Sequence, residues 1–169
     1  CIGCALGVNL PKARVIFADI SSEALSVARR NISLHRLNSR AVALEADALA
    51  PPPLRMQNFD LIACNPPYIA EEELKSLDKS VLDWEPALAL DGGEDGLVFY
   101  RSVLQNWKSV LKDGGWIIFE IGEGQAADVR ALLLAAGFHN LGCTLDTLGT
   151  ERVIYAQKKK SIPTDSEEM

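Results

Sequence analysis

The sequence predicts an α/β fold in which a largely parallel sheet is covered by helices on both faces. Short apolar segments of strand character alternate along the chain with segments whose apolar residues recur every three or four positions. Such alternation is typical of parallel sheets, whose strands are joined by crossover helices. The last two strand segments are close enough in sequence to pair as an antiparallel hairpin. The 169 residues fit one domain, which we expect over residues 1–157, followed by a disordered tail at 158–169.

Three short apolar segments in the first half of the chain are predicted strands, and a polar residue follows each one. They are residues 14–18 before Asp19, residues 41–46 before Asp47, and residues 59–64 before Asn65. Ser21 or Ser22 is placed to cap a helix that runs to about His35, because serine favours the N-cap position. The prolines at 51–53 exclude a helix or a central strand there.

The second half of the chain predicts a long loop with some helical turns over residues 66 to about 94, followed by two helices and three strands. The first helix spans about Gly96 to Leu111, since its apolar residues recur at spacings of three and four. Gly114 and Gly115 are expected to end that helix. The remaining elements are, in order, a strand at residues 116–121, a helix at 125–136, and two hairpin strands at 141–145 and 152–157.

The charge and the apolar content exclude several classes of partner. The net charge is −6 and 48% of the residues are hydrophobic, which is ordinary for a globular domain. An acidic domain gains little from counterion release on a phosphate backbone, so we expect no direct binding to duplex nucleic acid. No apolar run approaches the roughly 20 residues of a membrane-spanning helix, so we expect no membrane association. We expect a cytoplasmic protein, or one of an organelle matrix.

The four cysteines favour reduced thiols, because three of them lie in strongly apolar stretches. Cys1 and Cys4 form a C-x-x-C pair, but neither a second such pair nor a His pair follows to complete a zinc site. Packing within a helix is therefore favoured over a metal or redox role, and no metal site is predicted.

The polar residues that follow the strands predict a ligand crevice. Ligands bind beyond the carboxyl ends of parallel strands, so Asp19, Asp47 and Asn65 are expected to face one crevice. Asp19 is placed to accept hydrogen bonds from both ribose hydroxyls of a nucleoside cofactor, which adenosylmethionine and NAD share. Asp47 is placed to accept one from an adenine amino group, with Ala48 and Leu49 lining the ring. Each carboxylate taken alone is also compatible with a local turn or helix cap.

Asn65-Pro66-Pro67-Tyr68 is the segment whose residue types point most directly to chemistry. An amide or aromatic amine nitrogen is a poor nucleophile because its lone pair is delocalised. The Asn65 side-chain oxygen and the Pro66 carbonyl can each accept one N–H, which fixes the nitrogen and raises its electron density. The prolines stiffen the loop, and Tyr68 offers a flat face for stacking. Displacement on a sulfonium methyl then depends mainly on positioning, and a strong base is not required.

Three motifs give the chain a family resemblance. In order they are Asn65-Pro66-Pro67-Tyr68-Ile69, Trp84-Glu85-Pro86-Ala87-Leu88-Ala89-Leu90, and Gly92-Gly93-Glu94-Asp95-Gly96-Leu97 with Tyr100. With them the chain resembles the HemK-type peptide chain release factor glutamine methyltransferases, from Cys1 to about Gln157. The tetrapeptide alone is shared with adenine amino-methyltransferases of DNA and RNA, whereas the other two motifs make the match more specific.

The resemblance implies a Rossmann-like class I methyltransferase sheet and S-adenosyl-L-methionine as the cofactor. The implied substrate is the side-chain amide of the glutamine in the Gly-Gly-Gln motif of peptide chain release factors. The implied substrate-binding residues are Asn65, Pro66, Pro67 and Tyr68, and the catalytic ones among them are Asn65, Pro66 and Tyr68. The implied cofactor-binding residues are Asp19, Asp47, Ala48 and Asn65. Glu85 either organises the loop over the substrate or is a loop residue with its charge in water.

One departure from the family and four alternatives accompany this interpretation. The family carries an Asp-Leu-Gly-x-Gly-x-Gly segment directly before the Cys-Ile that opens this sequence. We therefore hypothesise a fragment truncated before the first strand and glycine loop, and expect the chain alone to bind adenosylmethionine weakly or not at all. The substrate alternatives are a ribosomal-protein glutamine and the adenine N6 of nucleic acid. The third alternative, an NAD-dependent dehydrogenase, would leave the tetrapeptide without a role. The fourth, a non-catalytic binding module, is disfavoured because the tetrapeptide is intact.

Overall fold

The computed structural model describes residues 1–53, 56–77 and 86–160. The chain divides into two compact units, Cys1–Leu54 (unit 1) and Arg55–Met169 (unit 2). Among the described residues, unit 1 contains a two-stranded sheet and unit 2 a four-stranded sheet. None of the helices in those ranges is long and apolar enough to cross a membrane.

Unit 1 alternates two helices with two parallel strands. Its elements are α1 (Ile2–Asn9), β1 (Val15–Asp19), α2 (Ser22–Leu34) and β2 (Ala41–Glu45). The two strands pair in parallel up to Asp19, which lies opposite Glu45. The Ser21 hydroxyl accepts a hydrogen bond from the Ala24 N–H at 3.1 Å, as an N-cap residue does. The predicted start of this helix is therefore confirmed.

A small apolar core joins the end of α2 to both strands of unit 1. Its buried residues are Ile32, Leu37 and Ala41, and Val15, Phe17 and Ala43 pack against them. Arg40 ties the end of α1 to the same region, because its guanidinium donates hydrogen bonds to the carbonyls of Gly7, Leu10 and Ala13. A cation at the carboxyl end of a helix also interacts favourably with the helix dipole.

Unit 2 is built on a mixed sheet. Its strands are β3 (Phe59–Cys64), β4 (Leu111–Glu120), β5 (Phe138–Leu145) and β6 (Glu151–Lys158). They lie in the order β3-β4-β6-β5. β3 and β4 run parallel, whereas β6 pairs antiparallel with both β4 and β5. The predicted parallel pairing and the C-terminal antiparallel hairpin are both confirmed.

The helices of unit 2 differ from prediction in one place. Among the described residues they are α3 (Glu71–Leu74), α4 (Ala87–Leu90), α5 (Val98–Ser102) and α6 (Ala126–Ala135). One continuous helical segment covers residues 98–110, close to the predicted helix from Gly96 to Leu111, but it is a regular α-helix only as far as Ser102. A widened π turn (Val103–Trp107) and a tight 3-10 turn (Lys108–Val110) continue it. The apolar face is nevertheless as predicted: Tyr100, Leu104 and Trp107 are buried.

β4 begins earlier than the glycine pair suggests. The prediction that Gly114 and Gly115 end a helix is wrong, since both lie inside β4. The register between β3 and β4 shifts next to them, and Gly114 has a φ of +79°. Glycine is therefore used for an irregularity in the strand rather than for a helix end. Beside this irregularity, β6 extends to Lys158, one residue past the expected domain boundary.

Candidate active site

The Asn65–Tyr68 turn leaves β3 at the carboxyl end of the parallel pair, where Cys64 is paired with β4. Asn65 is exposed and Pro66 is buried, while Pro67 and Tyr68 are half-buried. Within the described ranges the Asn65 side chain has no hydrogen-bond or ion-pair partner. Its amide oxygen is therefore available to a ligand rather than used by the protein interior.

Behind the turn, two loops are held together by backbone hydrogen bonds. Ile69 forms a parallel bridge with Asp91. The Ile69 N–H donates to the Leu90 carbonyl at 3.0 Å, and the Gly92 N–H donates to the Ile69 carbonyl at 2.8 Å. The last residue of the second motif, Leu90, and the first of the third, Gly92, therefore lie against Ile69, which directly follows the tetrapeptide.

Gly92 and Gly96 are glycines because Tyr68 approaches them closely. A Cβ at Gly92 would lie 2.7 Å from the Tyr68 Cα, which is closer than real side chains tolerate. A Cβ at Gly96 would overlap the Tyr68 carbonyl oxygen and lie 2.7 Å from Gln125 Nε2. Gly96 also has a φ of +71°, in the left-handed region that disfavours side chains.

The Gln125 side-chain amide joins four backbone and side-chain groups. Its Nε2 donates to the Tyr68 carbonyl at 2.9 Å and to the Gly96 carbonyl at 3.3 Å. Its Oε1 accepts from the Gly122 N–H at 2.9 Å and from the Tyr100 hydroxyl at 3.3 Å. Sequence reasoning missed this residue, since a glutamine at the start of a predicted helix gives no signal of such a role.

Tyr100 supports this network from the buried side. Its side chain is 0% exposed, and its single hydroxyl proton is shared between the Glu120 carbonyl at 3.0 Å and Gln125 Oε1 at 3.3 Å. Its ring packs edge-on against Phe119, with centroids 5.2 Å apart. Burial raises the pKa of the Tyr100 hydroxyl, so the group stays protonated and can donate at any pH the protein tolerates.

An ion pair closes the loop between Gly92 and α5. The Nη1 and Nη2 atoms of Arg101 each donate to one oxygen of the Asp95 carboxylate at 2.8 Å. The hydrogen bond from Arg101 is the main reason that the pKa of Asp95 is lowered to about 2. The Leu97 N–H donates to the same carboxylate at 3.1 Å, so Asp95 fixes both ends of this short segment.

The two aspartates of unit 1 lie at the carboxyl ends of neighbouring parallel strands. Asp19 is exposed, and its Oδ1 accepts a hydrogen bond from the Ser21 N–H at 2.9 Å. Asp47 follows β2, and its Oδ1 accepts one from the Leu49 N–H at 2.7 Å. One oxygen of each carboxylate therefore stabilises a local turn, which was the alternative role considered for these two residues. In each, the second oxygen accepts no hydrogen bond from a described residue, which fits a hydroxyl or amino group of a nucleoside.

The predicted site residues fall into both units. Unit 2 brings together Asn65, Pro66, Pro67 and Tyr68, while Asp19, Asp47 and Ala48 belong to unit 1. The expectation that all of them face one crevice stays a prediction. Trp84 and Glu85, and with them the possible roles of Glu85, lie outside the described residues.

The cysteines are free thiols. Cys4 is buried within α1, whereas Cys1 precedes the helix as its N-cap residue and is exposed. Burial raises the pKa of the Cys64 thiol to about 12, so the group beside the turn is not a nucleophile at neutral pH. The part of the chain that the structure describes holds no group of three or more His, Cys, Asp or Glu arranged for a metal ion.

Comparison with known proteins identifies the family. Residues 1–117 match the methyltransferase small domain, and the chain belongs to that family. It is 40% identical over 157 residues to the release factor glutamine methyltransferase of Clostridium botulinum, covering 93% of this chain and 56% of that protein. It is 42% identical over 148 residues to that of Caulobacter vibrioides, covering 88% and 50%. The chain thus spans about half the length of the curated relatives it matches.

Solved structures agree on the fold. The hMettl16 catalytic domain in complex with MAT2A 3'UTR hairpin 6 matches with a TM-score of 0.68 and 17% identity, covering 96% of this chain and 63% of that one. At this identity the likeness concerns the fold alone. Fold and family together define a class I methyltransferase domain, whose cofactor is S-adenosylmethionine. The resemblance inferred from the three motifs is confirmed.

Proposed function

We propose that the protein containing this chain methylates the glutamine side-chain amide in the Gly-Gly-Gln motif of a peptide chain release factor. The observation that carries the proposal is the exposed Asn65 side chain on a turn anchored at the end of β3. The similarity to release factor glutamine methyltransferases over nearly the whole chain supports this substrate. The proposal implies a location where translation occurs, in the cytoplasm or an organelle matrix.

The turn would act by orienting the substrate amide. The Asn65 side-chain oxygen and the Pro66 carbonyl each accept one N–H, so both hydrogens of the amide nitrogen are held in fixed directions. The ring of Tyr68 stacks on the planar amide, and Pro67 limits the movement of the turn. Bound S-adenosylmethionine supplies the electrophilic methyl group. Holding the nitrogen near its attack position can supply much of the rate acceleration without a strong base.

The carboxylates of unit 1 would bind the cofactor. Asp19 accepts hydrogen bonds from the ribose hydroxyls, and Asp47 accepts one from the adenine amino group, beside Ala48. These roles fit the second carboxylate oxygen that each local turn leaves without a described partner. Asn65 contacts both the cofactor and the substrate in this arrangement, because the two must meet at the reacting nitrogen.

Methyl transfer by the full-length protein tests the proposal. The assay offers labelled S-adenosylmethionine with the release factor, and separately with a release factor whose Gly-Gly-Gln glutamine is alanine. Label on the first and none on the second is the expected result. Asn65→Ala should lower the transfer rate on the order of 100-fold, as misplacement of a reacting group does. The matched control is Asn38→Ala, at an exposed turn position of unit 1.

Three outcomes would contradict the proposal. Transfer to the adenine N6 of nucleic acid, with none to the release factor, would indicate a nucleic-acid methyltransferase. Transfer to a ribosomal protein alone would keep the chemistry and replace the substrate. An Asn65→Ala protein as active as Asn38→Ala would remove the turn from the mechanism.

A further inference from the structure

The backbone of the Asn65–Tyr68 turn can donate few hydrogen bonds that would fix the conformation of the turn. Pro66 and Pro67 have no N–H, so neither peptide group can donate a hydrogen bond to the rest of the protein. The last carbonyl of the turn, that of Tyr68, is instead held by the side chain of Gln125 at 2.9 Å. A residue 57 positions away in sequence therefore fixes the end of the turn.

Only a neutral amide satisfies every group around Gln125. Its donor end faces two carbonyl oxygens, those of Tyr68 and Gly96. Its acceptor end faces the Gly122 N–H and the Tyr100 hydroxyl. A carboxylate has no donor and an ammonium has no acceptor, so neither can replace it. The partners on both ends also fix which way the amide points.

We propose that Gln125 is a positioning residue that holds the Asn65–Tyr68 turn in the geometry needed for methyl transfer. It acts through the Tyr68 carbonyl and ties the turn to Gly122, just past β4, and to Gly96 in the neighbouring loop. The inference rests on the proposed function, since a fixed turn matters for transfer only if the turn binds the substrate amide.

Gln125→Glu is the informative substitution because it changes one end of the side chain only. The carboxylate still accepts from Gly122 and Tyr100, but an oxygen replaces Nε2 and faces the two carbonyl oxygens. The anchoring bond to Tyr68 is thereby replaced by repulsion. Gln105→Glu makes the same chemical change at an exposed position of unit 2 and serves as the matched control.

Hydrogen exchange of the full-length protein tests the anchoring directly. The amides of Ile69 and Gly92, which pair the two loops behind the turn, report its stability. In Gln125→Glu they should exchange about tenfold faster than in the wild type, as expected for the loss of roughly one hydrogen bond. In Gln105→Glu they should not change. Unchanged exchange in Gln125→Glu would overturn the inference.

The rate of methyl transfer tests whether the anchoring serves the reaction. We expect kcat of Gln125→Glu to fall on the order of 10- to 100-fold, while the KM for S-adenosylmethionine stays near that of the wild type. Lowering the pH should restore activity relative to the wild type, because the protonated carboxyl regains a donor. A general loss of folding would not recover in this way. A kcat equal to that of the wild type at every pH would overturn the inference.

The exchange and transfer results separate this inference from the proposed function. A wild-type protein that does not methylate the release factor would contradict the proposed function. In that event, faster exchange in Gln125→Glu would still support anchoring of the turn by Gln125, and unchanged exchange would still overturn it.

Discussion

Replacing Gly96 by alanine should destabilise unit 2 more than replacing Gly124, although the two glycines share a backbone conformation. The φ angle is +71° at Gly96 and +80° at Gly124. Placing alanine in this left-handed region costs about 1–2 kcal/mol at either position. At Gly124 nothing lies within 4 Å of the added Cβ, so this strain is the whole expected effect.

At Gly96 the added methyl group meets the groups that anchor the turn. It would overlap the Tyr68 carbonyl oxygen and lie 2.7 Å from Gln125 Nε2. Relieving such overlap adds about 1–3 kcal/mol. Weakening the hydrogen bond between those two groups adds about 1 kcal/mol more. The expected total is about 3–6 kcal/mol for Gly96→Ala, against about 1–2 kcal/mol for Gly124→Ala.

Urea unfolding followed by tryptophan fluorescence measures this difference. Trp107 and Trp116 both belong to unit 2, so the signal reports the unit that carries the substitutions. The free energies of unfolding follow from the midpoints if the slope with urea is the same for each protein. Equal destabilisation by Gly96→Ala and Gly124→Ala would refute the reasoning, since it would leave φ as the only reason for glycine at position 96.

Two further predictions concern the groups around the turn. Tyr100→Phe should cost about 1–2 kcal/mol of stability, because it removes the hydroxyl bond to Glu120 and keeps the ring on Phe119; urea unfolding with no loss would contradict this. Arg101→Gln should raise the pKa of Asp95 from about 2 toward the usual carboxyl range, which NMR titration of that carboxyl measures. Because the folded-state pKa is lowered, the stability from this pair is present above the ordinary carboxyl pKa and is lost as the pH falls through about 2. Both side chains are more than 40% exposed, so the amount lost should not exceed about 1 kcal/mol. An Asp95 midpoint that Arg101→Gln does not move would contradict the assignment.

The elements that depend on local sequence were predictable. The helix that Ser21 caps and the strand from Phe59 to Cys64 have the expected bounds, because caps and strand ends are encoded by neighbouring residues. The helix predicted from Gly96 to Leu111 has nearly the expected extent, but its helix type changes after Ser102. Spacings of three and four bury the same face in an α-helix, a π turn or a 3-10 turn, so the pattern does not separate them.

The start of β4 could not be predicted because the pairing with β3 decides it. Leu111 fits the apolar face of a helix as well as it fits a strand, and it is only 2% exposed in the strand. Its partner is Phe59, far away in sequence. A single sequence does not reveal that partner, so tertiary pairing overrides the local pattern here.

Gln125 was missed for a related reason, and it explains why two of the three motifs occur together. In the Gly92–Leu97 loop, the backbone of Tyr68 approaches Gly92 and Gly96 closely. Gln125 then binds the carbonyls of both loops at once. The third motif therefore needs small residues, because they allow the first motif to pack against it. Gln125 then holds the two motifs together. A larger side chain at position 92 or 96 would move the turn that is proposed to grip the substrate amide, without touching the substrate itself.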